Sequence, residues 1–436
     1  MKKKVLFVCP NFPPINTADG TRARMMLPYL KDYGWEATVA AICPEQNPNN
    51  KDEYLLATIP PETEVHHLPA WDETWCRRIG FGHVSNRIFW PWRGAVLRLL
   101  KQNKYDLIFI STTAFSVMAW GPYWRKHAGV PYVIDLHDPI YVPGGSYTKD
   151  NAPGGYVKYR LANLLNRWIE RRAFSRAGGV VSTSEHYLIT LKQRYPHLRQ
   201  VPMAAIPFGV PFRDLEVLPT FSIQNRIFEK NRKQTVFFYA GRGGPDLHPA
   251  LDALFLATAK LKEKKPELAA KLSFVFVGTS YSPSGDGVRQ VELIAEKHGV
   301  GNLVTENPGR VSHFEALQAM READVALVLG STRPDYTASK ALLCAAAAPR
   351  TLAILHGESL PARVLAPMES CRCIRFRNRP EEPTALAELL TAVADLSEGS
   401  WPRAADKSRQ ELRPYSAQEM TRQVVALFQD VFKKDR

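Results

Sequence analysis

The chain has no run of about 18 apolar residues, so a membrane-spanning helix is not expected. Cysteine is sparse, six in 436 residues, and only Cys371 and Cys373 lie close together. Their C-x-C spacing fits neither a zinc site nor a C-x-x-C redox motif. Scattered thiols instead suit a reducing, cytoplasmic setting rather than a disulfide framework. There is no G-x-G-x-x-G dinucleotide fingerprint, and no D-x-D is placed to hold a divalent metal. A secretory leader is not expected either: the basic start, MKKKVLFVCPNFPP, has its apolar run interrupted by Pro10, Pro13 and Pro14, and it fits a first buried strand better.

Apolar residues make up 45% of the chain, ample for buried cores, and its length suggests two domains. Short apolar runs alternate with helical patterns. Runs at Val5–Val8, Ala37–Ile42, Asp106–Ile110, Tyr132–Asp135, Val180–Ser182 and Ala204–Pro207 form one series. Thr235–Ala240, Leu272–Val277, Leu303–Val304, Val325–Leu329 and Thr351–Leu355 form another. Near-continuous apolar strands separated by helices point to parallel sheets covered on both faces. The fold class is therefore α/β, with two tandem, doubly wound, Rossmann-like domains at 1–210 and 235–410. The turn-rich stretch 207–231 reads as a linker. Ser182/Glu185, Ser312/Glu315 and Ser416/Glu419 have the S-x-x-E spacing of a helix capping box. Met420, Val424, Leu427, Phe428, Val431 and Phe432 give the last helix, 416–436, one apolar face, which packs either on the second domain or back on the first.

Four stretches invite a functional reading. Val325–Pro349 reads as strand, polar loop and a helix starting at Thr337–Lys340, where free N–H groups, Thr337, Ser339 and Lys340 would make an anion site; its plain alternative is a capped helix. The loop around Gly20 follows the first strand, at the sheet edge where ligands bind, though one glycine also marks any tight turn. Asp135, His137 and Asp138 close a buried strand, where a histidine oriented by a carboxylate suits proton transfer or hydroxyl binding; a solvated Asp-Pro turn is the alternative. Gly241, Gly243 and Gly244 admit a close backbone approach, and Arg242 between them can bridge two phosphate oxygens. Residues 71–101 hold Trp71, Trp75, Trp90 and Trp92 with six Lys/Arg against two Asp/Glu. Cations interleaved with aromatics suit an anionic membrane surface, a clamp on single-stranded nucleic acid, or a packed helical insertion. Residues 1–215 carry 27 Lys/Arg and 17 Asp/Glu, most of the net charge of +14.

Taken in order, the Gly20 loop, the AGR at Ala240–Arg242, PGRVSHFEALQAMREADVALV at Pro308–Val328, the loop and helix at Asp335–Lys340, and Tyr415-Ser416 before an amphipathic last helix resemble the GT-B glycosyltransferases of the retaining, family-4-like group. The resemblance implies two domains facing a cleft that closes to exclude water, with the last helix crossing back to the first domain. It implies a nucleotide-sugar donor as co-substrate, no other cofactor, no metal and no nucleic acid. The acceptor would be a glycan or lipid-linked molecule in surface polysaccharide or glycoconjugate synthesis, at the inner face of a membrane that residues 71–101 contact. His137, Asp138 and Asp335 take the catalytic positions. Gly20, Gly241, Arg242, Gly243, Arg310, Val311, Tyr336, Thr337, Ser339 and Lys340 take the donor-binding positions, with Arg310 and Val311 at the base. The family's second acidic residue, which binds ribose, falls on Leu343, and its lysine after AGR is replaced in the neighbourhood of Leu247 and His248. A nucleotide-binding module without turnover, and an epimerase or hydrolase that needs no acceptor, are the competing readings.

Overall fold

The computed structural model describes residues 2–144, 155–231, 233–280, 287–334, 336, 338–398, 400–404 and 406–435. It divides into unit 1, Met1–Phe208 with Gln418–Arg436, and unit 2, Gly209–Ala417.

Unit 1 is built on a parallel sheet of β1 (Lys3–Val8), β2 (Trp35–Ile42), β3 (Glu64–Leu68), β4 (Leu107–Ser111), β5 (Tyr132–Leu136), β6 (Gly179–Ser182) and β7 (Met203–Ala205), in the order β3-β2-β1-β4-β5-β6-β7. Its helices are α1 (Thr21–Met26), α2 (Glu73–Arg78), α3 (Val84–Gln102), α4 (Gly121–Ala128), α5 (Tyr156–Phe174) and α6 (Glu185–Arg194). In unit 2, α7 (Phe212–Val217) precedes a second parallel sheet of β8 (Thr235–Ala240), β9 (Leu272–Val277), β10 (Val304–Asn307), β11 (Val325–Leu329), β12 (Thr351–His356) and β13 (Cys371–Phe376), ordered β10-β9-β8-β11-β12-β13. Around it lie α8 (His248–Lys264), α9 (Pro266–Ala269), α10 (Gln290–Lys297), α11 (His313–Glu322), α12 (Ala341–Ala347), α13 (Leu360–Leu365), α14 (Pro383–Glu398) and α15 (Asp406–Glu411). The chain ends in α16 (Ala417–Asp435). Both sheets are the doubly wound kind expected from the strand pattern.

The central strands follow from composition. Every residue of β4, β5, β6, β11 and β12 is buried, which requires apolar side chains on both faces. The helix after β1 stops at Met26, and the chain continues to Tyr33 as a tighter 3₁₀ run. Pro28 lacks the N–H that an α-helix needs there. Ser312 and Glu315 do form a reciprocal capping box on α11. Ser182 and Glu185 do not. Ser182 is the last residue of β6, its Oγ accepts from Ser184 N at 3.2 Å, and α6 starts at Glu185 itself. The stretch read as a linker is partly folded: α7 buries Asp214, which His313 Nε2 approaches to 2.7 Å, and Phe221 packs edge-on against Phe314 with centroids 4.9 Å apart.

The apolar face of α16 packs within unit 1. Phe428 meets the rings of Trp35 and Phe109, each at 5.3 Å, and Phe432 stacks near Trp35 at 5.7 Å with Lys3 Nζ 4.2 Å above it. Gly179 makes this approach possible. A Cβ there would lie 2.7 Å from Val431 and 2.9 Å from Leu427. Eight of the nine tryptophans are in unit 1, so its unfolding is readable by fluorescence. Phe428→Ala removes a fully buried ring and is expected to destabilise unit 1 by about 3–5 kcal/mol, measured by urea titration of tryptophan emission.

Candidate functional site

Each sheet winds outward in both directions from one strand: β1, between β2 and β4, in unit 1, and β8, between β9 and β11, in unit 2. The loops leaving the carboxyl ends part at such switch points, which is where ligands bind in open α/β sheets.

In unit 1 the switch point is lined by a buried polar network. Asp135, the fourth residue of β5, is fully buried, and three groups converge on its Oδ2: Arg22 Nε at 3.0 Å, Ser111 Oγ donating at 2.7 Å and His137 Nε2 at 2.5 Å. Arg22, on α1, is equally buried and donates through Nη2 to Ile206 O at 2.6 Å, while Phe208 lies under its guanidinium at 4.8 Å and beside the His137 ring at 5.2 Å. Burial alone would raise the Asp135 carboxyl. Arg22 and His137, with hydrogen bonds from His137 and Ser111, outweigh it and hold the group below the ordinary carboxylate value. His137 Nδ1 and Asp135 Oδ1 are buried without a hydrogen-bond partner among the described residues. With Nε2 committed to Asp135, Nδ1 is the ring atom able to meet a ligand. Asp138 is exposed on the following loop.

A second buried carboxylate fixes the loop after β1. Asp19 accepts from Asn11 Nδ2 at 3.0 Å, Thr17 Oγ1 at 2.7 Å, Thr112 Oγ1 at 3.1 Å and Thr113 N at 3.1 Å. It ties the β1 loop to the β4 loop across the switch point. Gly20 beside it has no room for a side chain, because a Cβ would stand 2.3 Å from the Asn11 carbonyl oxygen.

In unit 2 the loops after β8 and β11 are joined by Lys340, whose Nζ donates to Ala240 O at 3.1 Å. Arg242 stacks over Tyr336 at 5.4 Å and is gripped in two-pronged fashion by Asp246, through Nη1 to Oδ1 and through Nη2 to Oδ2 at 2.5 Å. Burial would raise Asp246, but its bonds to Arg242 hold it below the ordinary value. The Arg242 fork is therefore already engaged, and an incoming phosphate has to compete with Asp246. Gly241 N and Gly243 N donate to Val277 O and Thr279 O at 3.0 and 2.8 Å. Val311 lines a cavity of about 210 Å³ with Asn307 and Glu315, and Arg310 is exposed beside it. The helix after β11 is shorter than its sequence pattern suggests. It starts at Ala341, leaving Ser339 and Lys340 in the preceding turn, so seven buried residues replace the expected anion-binding helix start. Asp335 and Thr337 lie outside the described residues. Leu343 is buried in α12, an apolar position with nothing to offer a ribose hydroxyl.

The family described as "Glycosyl transferase 4-like domain" matches residues 20–209. The match spans somewhat under half of the chain, most of unit 1. No curated protein sequence matches the chain. Solved structures extend the likeness over both units. A glycosyltransferase from Rickettsia africae is 13% identical, with 99% of each chain covered and a TM-score of 0.58. The Anabaena protein HepE, solved with UDP and glucose, is 15% identical, with 98% of this chain and 100% of that one covered at 0.56. A UDP-forming trehalose-phosphate synthase from Burkholderia xenovorans is 12% identical, with 99% of each covered at 0.61. At such identities the likeness speaks to the fold alone, which is GT-B.

Arg22, Asp19, Ser111 and Thr112 are not signalled by the sequence pattern. The one available signal is the position of Asp19 next to Gly20, since a carboxylate in a loop at a strand's end needs donors if it is buried. Arg22 carried no such signal: its partner Asp135 is 113 positions away in the chain. Glu306 is likewise not signalled by the sequence. It accepts from Thr279 Oγ1 at 2.5 Å and from Val291 N and Glu292 N at 2.9 and 3.0 Å, capping α10.

Asp135→Asn leaves the Arg22 guanidinium buried without its counter-charge and is expected to cost about 3–5 kcal/mol. Because the folded carboxyl titrates below its unfolded value of about 3.9, its contribution is full above that pH and is lost as pH falls toward the folded value. Urea titrations from pH 7 to pH 3 should therefore show wild-type stability falling in acid, and a shallower fall in Asp135→Asn.

Proposed function

We propose that this protein is a glycosyltransferase that moves a sugar from a nucleoside-diphosphate donor to a glycan or lipid-linked acceptor, with retention of configuration and without a divalent metal. The observation that carries the reading is the meeting of Lys340, Arg242 and Tyr336 at the switch point of unit 2, where two cations and an aromatic face stand on the loops after β8 and β11. Charge develops on the β-phosphate as the bond from the anomeric carbon to the phosphate oxygen breaks, and fixed cations stabilise that charge most when they need not reorganise. The acceptor oxygen forms its new bond on the same face, and its proton passes to the departing phosphate oxygen. In this reading His137, held by Asp135, serves the sugar hydroxyls through Nδ1, and Asp138 and Asp335 are further candidates for a catalytic role. Val311 and Arg310 serve the base. The UDP bound to the Anabaena protein supports a uridine nucleotide. A peripheral position at an anionic membrane, in polysaccharide or glycoconjugate synthesis, belongs to the same proposal. Trp71, Trp75 and Trp90 support it by their exposure, whereas Trp92 is buried.

One observation favours a second reading, a module that binds nucleotide without turnover: the buried Leu343 where the family places an acid, together with the Arg242 fork closed on Asp246. The two separate experimentally. A thermal-shift panel of UDP, GDP, dTDP, CMP and ADP sugars should show stabilisation by one nucleotide class, with UDP expected. Arg242→Ala should weaken that nucleotide by about 1.5–3 kcal/mol, or about 10- to 150-fold. Unchanged affinity in Arg242→Ala removes the diphosphate assignment. Intact binding with no transfer to any acceptor supports the second reading.

His137→Ala tests the sugar side. It is expected to lower kcat by about 10²–10³-fold while leaving the thermal shift caused by the free nucleoside diphosphate unchanged.

A further inference from the structure

The first three turns of α5 place their apolar side chains outward. Val157, Leu161, Leu164, Leu165 and Trp168 fall at i, i+4, i+7, i+8 and i+11, one stripe of a helix, and are between 46% and 74% exposed. Amphipathic helices normally turn such a stripe to the core. Here the residues facing the rest of unit 1 are Tyr156, Tyr159, Asn163 and Asn166, each half-buried, and Asn163 Nδ2 donates to Val142 O at 3.1 Å. Trp168 lies 6.4 Å from Phe89, which meets Trp90 edge-on at 5.1 Å, and Trp90 is itself 51% exposed, so the apolar surface continues onto α3.

The charge beside the stripe has one sign. Arg160, Arg167 and Arg171 recur at i, i+7 and i+11 along one flank and are exposed, with Lys158 on the other. None of the four has a carboxylate partner among the described residues. The single acid of α5, Glu170, is buried and paired with Arg194, so it does not offset them at the surface. Next to the stripe opens a cavity of about 700 Å³ whose walls include Arg167, Arg171, Arg194, Trp168 and Tyr141. No helix of the described residues is long and apolar enough to cross a membrane.

We infer that α5 is the membrane-docking helix of unit 1: it lies in the interface of an anionic bilayer, with the stripe in the acyl boundary, Trp90 and Trp168 at headgroup depth, and Arg160, Arg167 and Arg171 on lipid phosphates. A helix with an apolar stripe, cationic flanks and aromatic residues at its edge has the chemistry of an interfacial helix, and each cation near an anionic leaflet adds attraction that salt screens. This inference deepens the membrane part of the proposed function and moves its main contact from residues 71–101 to α5, keeping Trp90.

The test uses the full-length protein and co-sedimentation with vesicles of phosphatidylcholine alone or with 30 mol% phosphatidylglycerol, a composition chosen as about that of an anionic leaflet. Wild type should bind the anionic vesicles, release at high salt, and bind the neutral ones at least about tenfold more weakly. Combined Arg160→Glu, Arg167→Glu and Arg171→Glu, and separately Leu161→Asp with Leu165→Asp, should each lower partitioning at least about 30-fold. The nucleotide thermal shift should stay unchanged, which shows that the variants fold. Because vesicle binding needs no donor, its outcome is independent of whether transfer is observed. Undiminished binding in both α5 variants overturns the inference, as does loss on Trp71→Ser with Trp75→Ser alone. So does a concentration-dependent dimer that Leu161→Asp dissociates, which would assign the stripe to a second copy of the chain.

Discussion

A parallel sheet that winds both ways from one strand has to part its loops where the winding reverses. That constraint places the candidate site in each unit. In unit 1 the reversal lies between β1 and β4, and in unit 2 between β8 and β11. At each point two loops that are distant in sequence come to stand side by side, and each pair is tied by a polar contact. Asp19 ties the β1 loop to Thr112 and Thr113, and Lys340 ties the β11 loop to Ala240. The crevice is a consequence of topology; its lining is a consequence of which residues the loops carry.

The two linings differ in kind. Unit 1 buries its charges. Asp135 and Arg22 are both without solvent contact, and such a pair holds together only with further hydrogen bonds, here from Ser111 and to the carbonyl of Ile206. The result is an anchor that fixes the His137 ring through Nε2 and leaves its buried Nδ1 without a hydrogen-bond partner among the described residues. Unit 2 keeps its charges near water. Arg242 and Asp246 are both partly exposed, and their pairing is the sort that an anionic ligand can displace at modest cost. Rigid orientation suits a group that handles a hydroxyl, and an exchangeable cation suits a group that must take up and release a diphosphate.

Much of the fold was legible because burial on both faces of a central strand leaves an apolar run, as in Val325–Leu329 or Tyr132–Leu136. The sheet edges were not. β3 reads EVHHL and β13 reads CRCIRF, where one face meets water and no continuous run survives. The capping box at Ser312 was legible because helix and cap begin together, while the same spacing at Ser182 misled because that serine still belongs to the strand. The candidate site was legible only in part. His137, Asp135 and Arg242 announced themselves as polar residues at strand ends, but the partners that decide their roles, Arg22 and Asp246, are set by folding. The stripe on α5 shows the same limit from the other side, since periodicity reveals that a helix has an apolar face but not which way it is turned.

The central claim is that a sugar is transferred rather than merely bound or released. It is tested most directly by following nucleoside diphosphate release from a radiolabelled sugar nucleotide, with and without a lipid extract as acceptor. The account predicts slow release without acceptor, faster release with it, and label recovered in the lipid or glycan fraction. Complete turnover in the absence of acceptor, or no release under any condition despite tight nucleotide binding, would contradict it.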